Sequence, residues 1–159
     1  MCSSGCQQRE EHARECRLFS SCGFSPTFDS YSEQHWLYTA IGILRTLFLK
    51  QVSSSSPKIV IKFPTDQDDP EKWSHVEMLM DHWEERCQDE SIVMALKGIY
   101  TFFSKKLKLD WISLDDVNHV FGVLMTNCVS LVSVNGRACY PILSILSHSC
   151  IPNLEPIRF

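Results

Sequence analysis

Four segments in the middle of the chain repeat apolar residues at helical spacing, and this repetition limits the possible folds most. The segments are 33–51, 73–87, 90–109 and 113–128. In the first segment the residues on one side are Trp36, Ala40, Ile43, Leu44, Leu47 and Phe48, with Leu37 and Ile41 widening the stripe. Apolar residues at i, i+3, i+4 and i+7 turn one helix face toward a core. The sequence therefore predicts that the middle of the chain is helical.

The second and third segments have inward faces of their own, and the fourth begins with a helix cap. The inward residues are Val76, Leu79, Met80 and Trp83 in the second segment, and Ile92, Ala95, Leu96, Ile99, Phe102 and Phe103 in the third. Ser113 precedes Asp115 and Asp116, the pattern of a cap followed by an acidic first turn. The second, third and fourth segments are each predicted to be one helix.

Weaker signals lie between and beyond these helices. Residues 7–16 are rich in helix-forming side chains, while 58–63 is a short apolar run that suits a strand or an extended segment. Asp69 followed by Pro70 suits a helix start. Residues 129–141 indicate a strand, an Asn-Gly turn and a second strand.

Composition excludes several classes of function. The net charge of -4 argues against nucleic-acid binding by charge alone. No apolar run reaches membrane-spanning length, and the first residues contain no apolar stretch typical of a signal peptide. With no secretion signal, clustered cysteines are more often metal ligands than disulfides. Cys87, Cys128 and Cys139 are spread out and are predicted to fill the core as small apolar side chains.

The first residues hold a candidate metal site. Cys2, Cys6, His12 and Cys16 form two pairs, each with three residues between its members. Zinc favours thiolate and imidazole ligands in a tetrahedron, and a His/Cys pair at i and i+4 shares one helix face. The alternative is four unrelated residues near a chain end.

Near the other end, residues 144–153 read SILSHSCIPN. A chain that only needs to turn more often uses Gly, Asn or Asp than this combination of His148, Cys150 and Pro152. His148 could also be a buried, hydrogen-bonded histidine that shapes a turn, and Asn153 could stabilise that turn.

Residues 138–153, ACYPILSILSHSCIPN, resemble a motif of SET-domain methyltransferases in its SMYD (SET and MYND) version, most closely the divergent arthropod branch. Residues 2–16 look like the second half of a MYND zinc finger. LMDHWEER is similar to the L-x-S-H motif of SMYD proteins, with Asp81 in the place of the serine. The resemblance implies an α+β fold: a partial MYND finger at 1–22, a helical SET-insert region at 23–127, and the N-terminal part of the SET core at 128–159.

The same resemblance implies cofactors and site residues. His82, Ser147 and His148 would lie against S-adenosylmethionine. Cys2 and Cys6 would bind one zinc ion, and His12 and Cys16 a second. Cys150 would be the first ligand of a third zinc ion. No catalytic residue is identified.

Two departures from the family pattern bear on activity. Ser147 stands where the family usually has asparagine, and a hydroxyl lacks the fixed donor and acceptor pair of an amide. The sequence also lacks the segment that carries the family's catalytic tyrosine, and the earlier cysteines of the finger. The chain is therefore expected to be a truncated fragment that does not catalyse alone and that binds zinc weakly or not at all.

The resemblance implies a protein-lysine methyltransferase in the full-length form, acting on histone or non-histone proteins in the nucleus and cytoplasm. The MYND part would dock proline-rich peptides, and neither nucleic acid nor membrane is an expected partner. The alternative is a non-catalytic adaptor or transcriptional regulator, and a third possibility is an unrelated helical domain with accidental motifs.

Overall fold

The computed structural model describes residues 10–25, 31–53, 73–131 and 136–139. Its elements are helices α1 (Glu10–Ser21), α2 (Tyr31–Ser53), α3 (Trp73–Glu77), α4 (Trp83–Arg86), α5 (Glu90–Thr101) and α6 (Leu114–Asn127), a π-helical turn (Phe102–Lys106) that continues α5, and strands β1 (Cys128–Leu131) and β2 (Gly136–Cys139). The described part of the chain is mostly helical, which confirms the predicted helical middle.

The core forms where α2 packs against α6, with α3 and α5 beside them. Of the α2 side chains that the sequence placed inward, Leu37, Ala40, Ile43, Leu44 and Leu47 are buried, and the other three are partly buried against the same core. Val117, Val120 and Val123 of α6 face them with no exposed area. Since α2 buries residues at helical spacing along most of its length, it is the central helix of the described bundle.

Helices α5 and α6 begin where the sequence predicted. Ser113 Oγ accepts a hydrogen bond from the Asp116 amide at 3.1 Å, so Ser113 is the N-cap of α6. Asp89 Oδ1 accepts from the Ser91 amide at 2.8 Å and caps α5. The predicted inward residues of α5 are buried or packed against the core. The predicted third helix 90–109 is correct as far as Thr101 and then widens into the π-helical turn.

The prediction of one helix over 73–87 is wrong. The chain forms two short helices, α3 and α4, separated by residues 78–82. Of the predicted inward face, Val76 is buried, but Met80 is 70% exposed and Trp83 is 37% exposed. Polar contacts from α6 and from Arg86 hold backbone groups of this loop, so tertiary hydrogen bonds override the apolar periodicity.

The hairpin that follows α6 confirms the two predicted strands, and its register places Gly136 in the second of them. Cys128 pairs with Cys139, and Leu131 pairs with Gly136, in an antiparallel register. Because Gly136 belongs to β2, the Asn-Gly pair does not form a two-residue turn between the strands. Residues 132–135 lie outside the described residues.

Helix α1 docks on α2 through a buried carboxylate. Glu15 is 2% exposed, and both of its oxygens accept hydrogen bonds from the Arg45 guanidinium, one of them at 3.0 Å. The Arg14 guanidinium lies 4.8 Å from the centre of the Phe48 ring. The Cys22 thiol after α1 donates to the Leu107 carbonyl oxygen at 3.3 Å. These contacts join α1 to the bundle.

Several predicted features lie outside the described residues. These are the apolar run 58–63, the Asp69 cap and the segment 140–159. Within the described ranges, no helix is long and apolar enough to cross a membrane.

Candidate functional site

The loop between α3 and α4 is a polar region whose backbone and Asp81 side chain are held by hydrogen bonds from α4 and α6. Its last residue, His82, has φ 53° and ψ 42°, the left-handed conformation that non-glycine residues adopt at a cost. Asp81 Oδ1 accepts a hydrogen bond from the Trp83 amide at 3.0 Å, which starts α4. Such a backbone persists only when its surroundings fix it, and here side chains of α4 and α6 do so.

Arg86 holds this loop by hydrogen bonds to the loop backbone and to α6. It is 6% exposed, and its Nε donates to the Asp81 carbonyl oxygen at 2.5 Å. Its Nη2 donates to Asn118 of α6, to Oδ1 at 3.1 Å and to the carbonyl oxygen at 3.3 Å. The guanidinium carbon lies 5.5 Å from the Trp83 ring centre and 5.9 Å from that of Phe121. The guanidinium thus ties the loop to α6 between two aromatic rings.

Burial lowers the pKa of Arg86 from its usual value, while the nearby charge of Asp81 and the Cys87 thiol act in the opposite direction. An arginine keeps its proton far above neutral pH, so this buried group remains a cation. Its Nη1 is buried and has no hydrogen-bond partner in the described structure. The site therefore holds a buried positive charge with one donor group unused.

His119 of α6 makes the second link to the loop. Its Nδ1 lies 3.1 Å from Asp81 Oδ2, and its Nε2 lies 3.2 Å from the Val76 carbonyl oxygen. Both partners are hydrogen-bond acceptors, and each lies within hydrogen-bond distance of one ring nitrogen. The ring is held between two acceptors, which makes His119 a structural link between α6 and the loop.

Gly122 lets the loop approach α6. A Cβ atom at this position would lie 2.5 Å from the Asp81 carbonyl oxygen and 2.6 Å from the Asp81 Cβ, and it would also overlap Arg86 Nη2. Only glycine therefore allows the helix and the loop to pack this closely. The cluster formed by Asp81, Arg86, Asn118, His119 and Gly122 is called the Asp81 cluster below.

The loop also contacts the junction between α6 and β1. The Met80 carbonyl oxygen accepts from Asn127 Nδ2 at 3.1 Å and from Thr126 Oγ1 at 3.3 Å. Asn127 ends α6, and Cys128 begins β1. The loop that carries His82 is therefore held against the base of the hairpin.

Among the residues predicted to contact a cofactor, His82 is the one that the structure describes. Its side chain is 45% exposed, and Nδ1 lies 3.9 Å from Glu85 Oε2. The sequence had predicted that His82 lies within a helix. In the structure it lies immediately before the first residue of α4. The other two cofactor residues, Ser147 and His148, lie outside the described residues.

The predicted zinc ligands are described only in part. His12 and Cys16 both belong to α1, one turn apart, and Cys16 is half-buried. Cys2, Cys6 and Cys150 lie outside the described residues. Over the ranges that the structure describes, no three His, Cys, Asp or Glu side chains come together as a metal site would require. Cys87 is exposed and Cys128 and Cys139 are half-buried, so the prediction that Cys87 fills the core is wrong.

The sequence alone did not predict that Arg86, Asn118, His119 and Gly122 form one cluster. One signal was present: Arg86 follows Trp83 by three residues and so lies on the apolar stripe of the predicted second helix. A charged residue on an inward stripe indicates a buried, hydrogen-bonded group.

Comparisons with protein-family profiles, with curated proteins and with solved structures find no match to this chain. Its function therefore has to be inferred from its own residues and their geometry. The features available for that inference are the Asp81 cluster, the exposed His82 and the motif residues at the two ends of the chain.

Proposed function

We propose that this chain is part of a SMYD-like protein that methylates lysines of a protein substrate with S-adenosylmethionine. In this proposal the described bundle is the helical region between a MYND finger and a SET core. Residues 1–22 would be part of the finger, and residues 128–159 part of the core. The chain would supply part of the methyl-donor site from His82 and from the segment containing Ser147 and His148.

One observation supports this proposal most. The loop that carries His82 is hydrogen-bonded at Met80 to Asn127, immediately before β1. Strand β2 returns to the same place, because Cys139 pairs with Cys128. Ser147 and His148 follow Cys139 closely in the chain. The loop that carries His82 and the strand that precedes the segment of Ser147 and His148 in the sequence thus meet at one junction.

The residues suit the chemistry of such a site. When bound, S-adenosylmethionine supplies a methyl group on a sulfonium cation, together with an amino-acid tail. His82 presents an exposed imidazole from a backbone that the Asp81 cluster fixes, and a fixed polar group loses little entropy when it meets a ligand. The Ser147 hydroxyl can donate or accept one further hydrogen bond. Positioning of this kind is the main requirement for transfer of a methyl group to a lysine amine.

The decisive experiment is isothermal titration of S-adenosylmethionine into the full gene product that contains these residues. We expect saturable binding that His82→Ala weakens about tenfold, the cost of one hydrogen bond to a charged ligand. His35→Ala is the matched control, because His35 is also exposed but lies on α2. Equal loss in both variants, or no binding by the unchanged protein, would contradict the proposal.

Transfer itself is measured with labelled cofactor on histones and on a cell lysate, against a boiled control. Label in a protein band that His82→Ala reduces would support the enzyme. A protein that binds cofactor but labels no protein would contradict a protein-lysine substrate.

Zinc is the second cofactor in this proposal. The donor set of Cys2, Cys6, His12 and Cys16 suits zinc, and α1 places His12 and Cys16 one turn apart, a spacing that can present two ligands to one ion. Elemental analysis of the full gene product should find zinc that Cys16→Ser lowers and Cys87→Ser leaves unchanged. Cys87 is an exposed cysteine of the α4 terminus and serves as the control.

A second candidate function is a non-catalytic adaptor, and Ser147 is the observation that favours it. A serine in place of asparagine removes one donor and shortens the side chain, which weakens contact with a cofactor. Binding of a proline-rich peptide without any binding of S-adenosylmethionine would support the adaptor and exclude the methyltransferase.

A further inference from the structure

A second site lies at the end of α5 and shares no residue with the Asp81 cluster. It is an open groove of about 490 Å³, and its lining residues are Phe24, Trp36, Gly98, Thr101, Phe102, Lys105 and Lys106. We call it the α5 groove. It brings together the segment after α1, the start of α2 and the π-helical turn.

The walls of the α5 groove are aromatic rings that pack against one another. The Phe102 ring lies edge-to-face with Phe24 at 5.0 Å and with Trp36 at 5.3 Å between ring centres. Phe102 is buried, while Phe24 and Trp36 are half-exposed. Preformed apolar walls of this kind bind a large side chain without rearrangement.

The floor of the groove is a glycine that the fold does not need. Gly98 is exposed within α5, and a Cβ there would meet only Trp36 Nε1, at an ordinary 3.9 Å. A glycine inside a helix is less favourable than an alanine at the same position. No close packing accounts for that cost at Gly98, and the absence of a side chain leaves the floor open.

The adjoining π-helical turn is a second uncommon feature at the same place. The Leu107 amide donates to the Phe102 carbonyl oxygen at 3.0 Å, five residues back. Such turns are rare in helices and are frequent at functional sites. Here the turn places Phe102, Lys105 and Lys106 together at the groove.

The rim of the groove is basic although the chain carries a net charge of -4. Lys105 and Lys106 are exposed, and neither ammonium forms an ion pair in the described part of the structure. Lys97 and Lys108 are also exposed and flank this region of the chain. Two unpaired cations beside an apolar floor complement a ligand that joins carboxylates to an apolar side chain.

We propose that the α5 groove docks an acidic peptide segment of a partner protein. One bulky apolar side chain of the peptide enters between Phe24, Trp36 and Phe102 above Gly98. Carboxylates on either side of it pair with Lys105 and Lys106. The proposal does not depend on the methyltransferase function, because no cofactor or zinc residue lines the groove.

The experiment is fluorescence polarisation with the full chain and a labelled, glutamate-rich peptide that carries a leucine in its middle. We expect saturable binding that weakens as salt rises, because exposed charges are screened over about 8 Å at physiological ionic strength. Lys105→Glu/Lys106→Glu should weaken binding about tenfold. Gly98→Leu should do the same by filling the floor, without lowering the melting temperature.

The matched control is Lys97→Glu/Lys108→Glu, which changes the net charge equally but alters no lining residue. Equal weakening in both double variants would show general attraction and overturn a specific groove. So would unchanged affinity in Gly98→Leu, or equal binding of a peptide with lysines in place of the glutamates. Binding to phosphatidylserine vesicles that Lys105→Glu/Lys106→Glu abolishes, with no binding of the acidic peptide, would overturn the proposal and assign the groove to a lipid surface instead.

Discussion

Two glycines inside helices stand in opposite surroundings, and substitution should therefore change stability in opposite directions. Gly122→Ala places a Cβ against the Asp81 carbonyl oxygen and Arg86. We expect the free energy of unfolding to fall by about 1–3 kcal/mol, because the backbone contact cannot move aside. Urea denaturation measures the change.

Gly98→Ala is the paired prediction. Its Cβ meets nothing closer than 3.9 Å, so the gain in helix propensity of about 1 kcal/mol should appear as higher stability. A loss of stability at Gly98, or a gain at Gly122, would mean that the two helices pack differently from the structure.

Arg86 allows a prediction about a buried charge. Arg86→Met keeps an apolar stem between Trp83 and Phe121 but leaves the acceptors on Asp81 and Asn118 without this donor. We expect a loss of about 2 kcal/mol in the free energy of unfolding. Arg86→Lys should not restore it, because an ammonium cannot reproduce the planar fork.

The control for Arg86 is Lys97→Met, an exposed substitution on α5 that should change stability by less than about 0.5 kcal/mol. An Arg86→Met protein as stable as the original would show that the cost of burying the guanidinium cancels its hydrogen bonds.

At the scale of elements, sequence periodicity predicted α2, α5 and α6 but not the division between α3 and α4. The buried faces of α2 and α6 follow from local spacing, and Ser113 follows from cap chemistry. The division depends on hydrogen bonds from Arg86 and Asn127 to carbonyl groups of the loop. Such contacts join residues far apart in sequence, so no local pattern contains them.

In the candidate site, too, the sequence predicted the residue with a local motif but not the residues that contact it from another helix. The exposed His82 was found by a motif, whereas its supports, His119 and Gly122, belong to a different helix. Their roles become visible only when α6 and the loop are brought together, since a helix sequence does not reveal which glycine faces a neighbour.

The link between α2 and the start of α6 predicts a pH dependence. Burial raises the pKa of Asp116, but hydrogen bonds from Lys50 and Ser113 outweigh it, so the pKa lies below its usual value. A carboxylate with a lowered pKa stabilises the folded state above the unfolded pKa of about 4 and loses this effect as pH falls further.

Asp116→Asn should therefore be less stable than the original protein at neutral pH, by about 1 kcal/mol because Lys50 is partly exposed. The difference should shrink as pH falls below about 4. Melting temperatures of both proteins across this range test the prediction, and a constant difference would exclude the Asp116 charge as its cause.

At the scale of the whole molecule, α1 links the N-terminal residues to the bundle. Its carboxylate at Glu15 is buried, whereas the Arg45 side chain that it binds is 54% exposed. Breaking the ion pair therefore costs a different free energy for each partner. The Arg45 guanidinium can be hydrated when Glu15 is replaced, but the Glu15 carboxylate stays away from water when Arg45 is replaced.

Arg45→Ala should consequently destabilise the docking of α1 more than Glu15→Met does, by about 2 kcal/mol, although each variant removes the same ion pair. Hydrogen exchange of the α1 amides separates this effect from global unfolding, because local opening of α1 speeds exchange there while the α6 amides keep their protection. Equal effects of the two substitutions would mean that the Glu15 carboxylate reaches solvent. The same hydrogen-exchange measurement after addition of zinc tests His12 and Cys16 as ligands. If docked α1 binds the ion through these two residues, zinc should slow the local opening of α1.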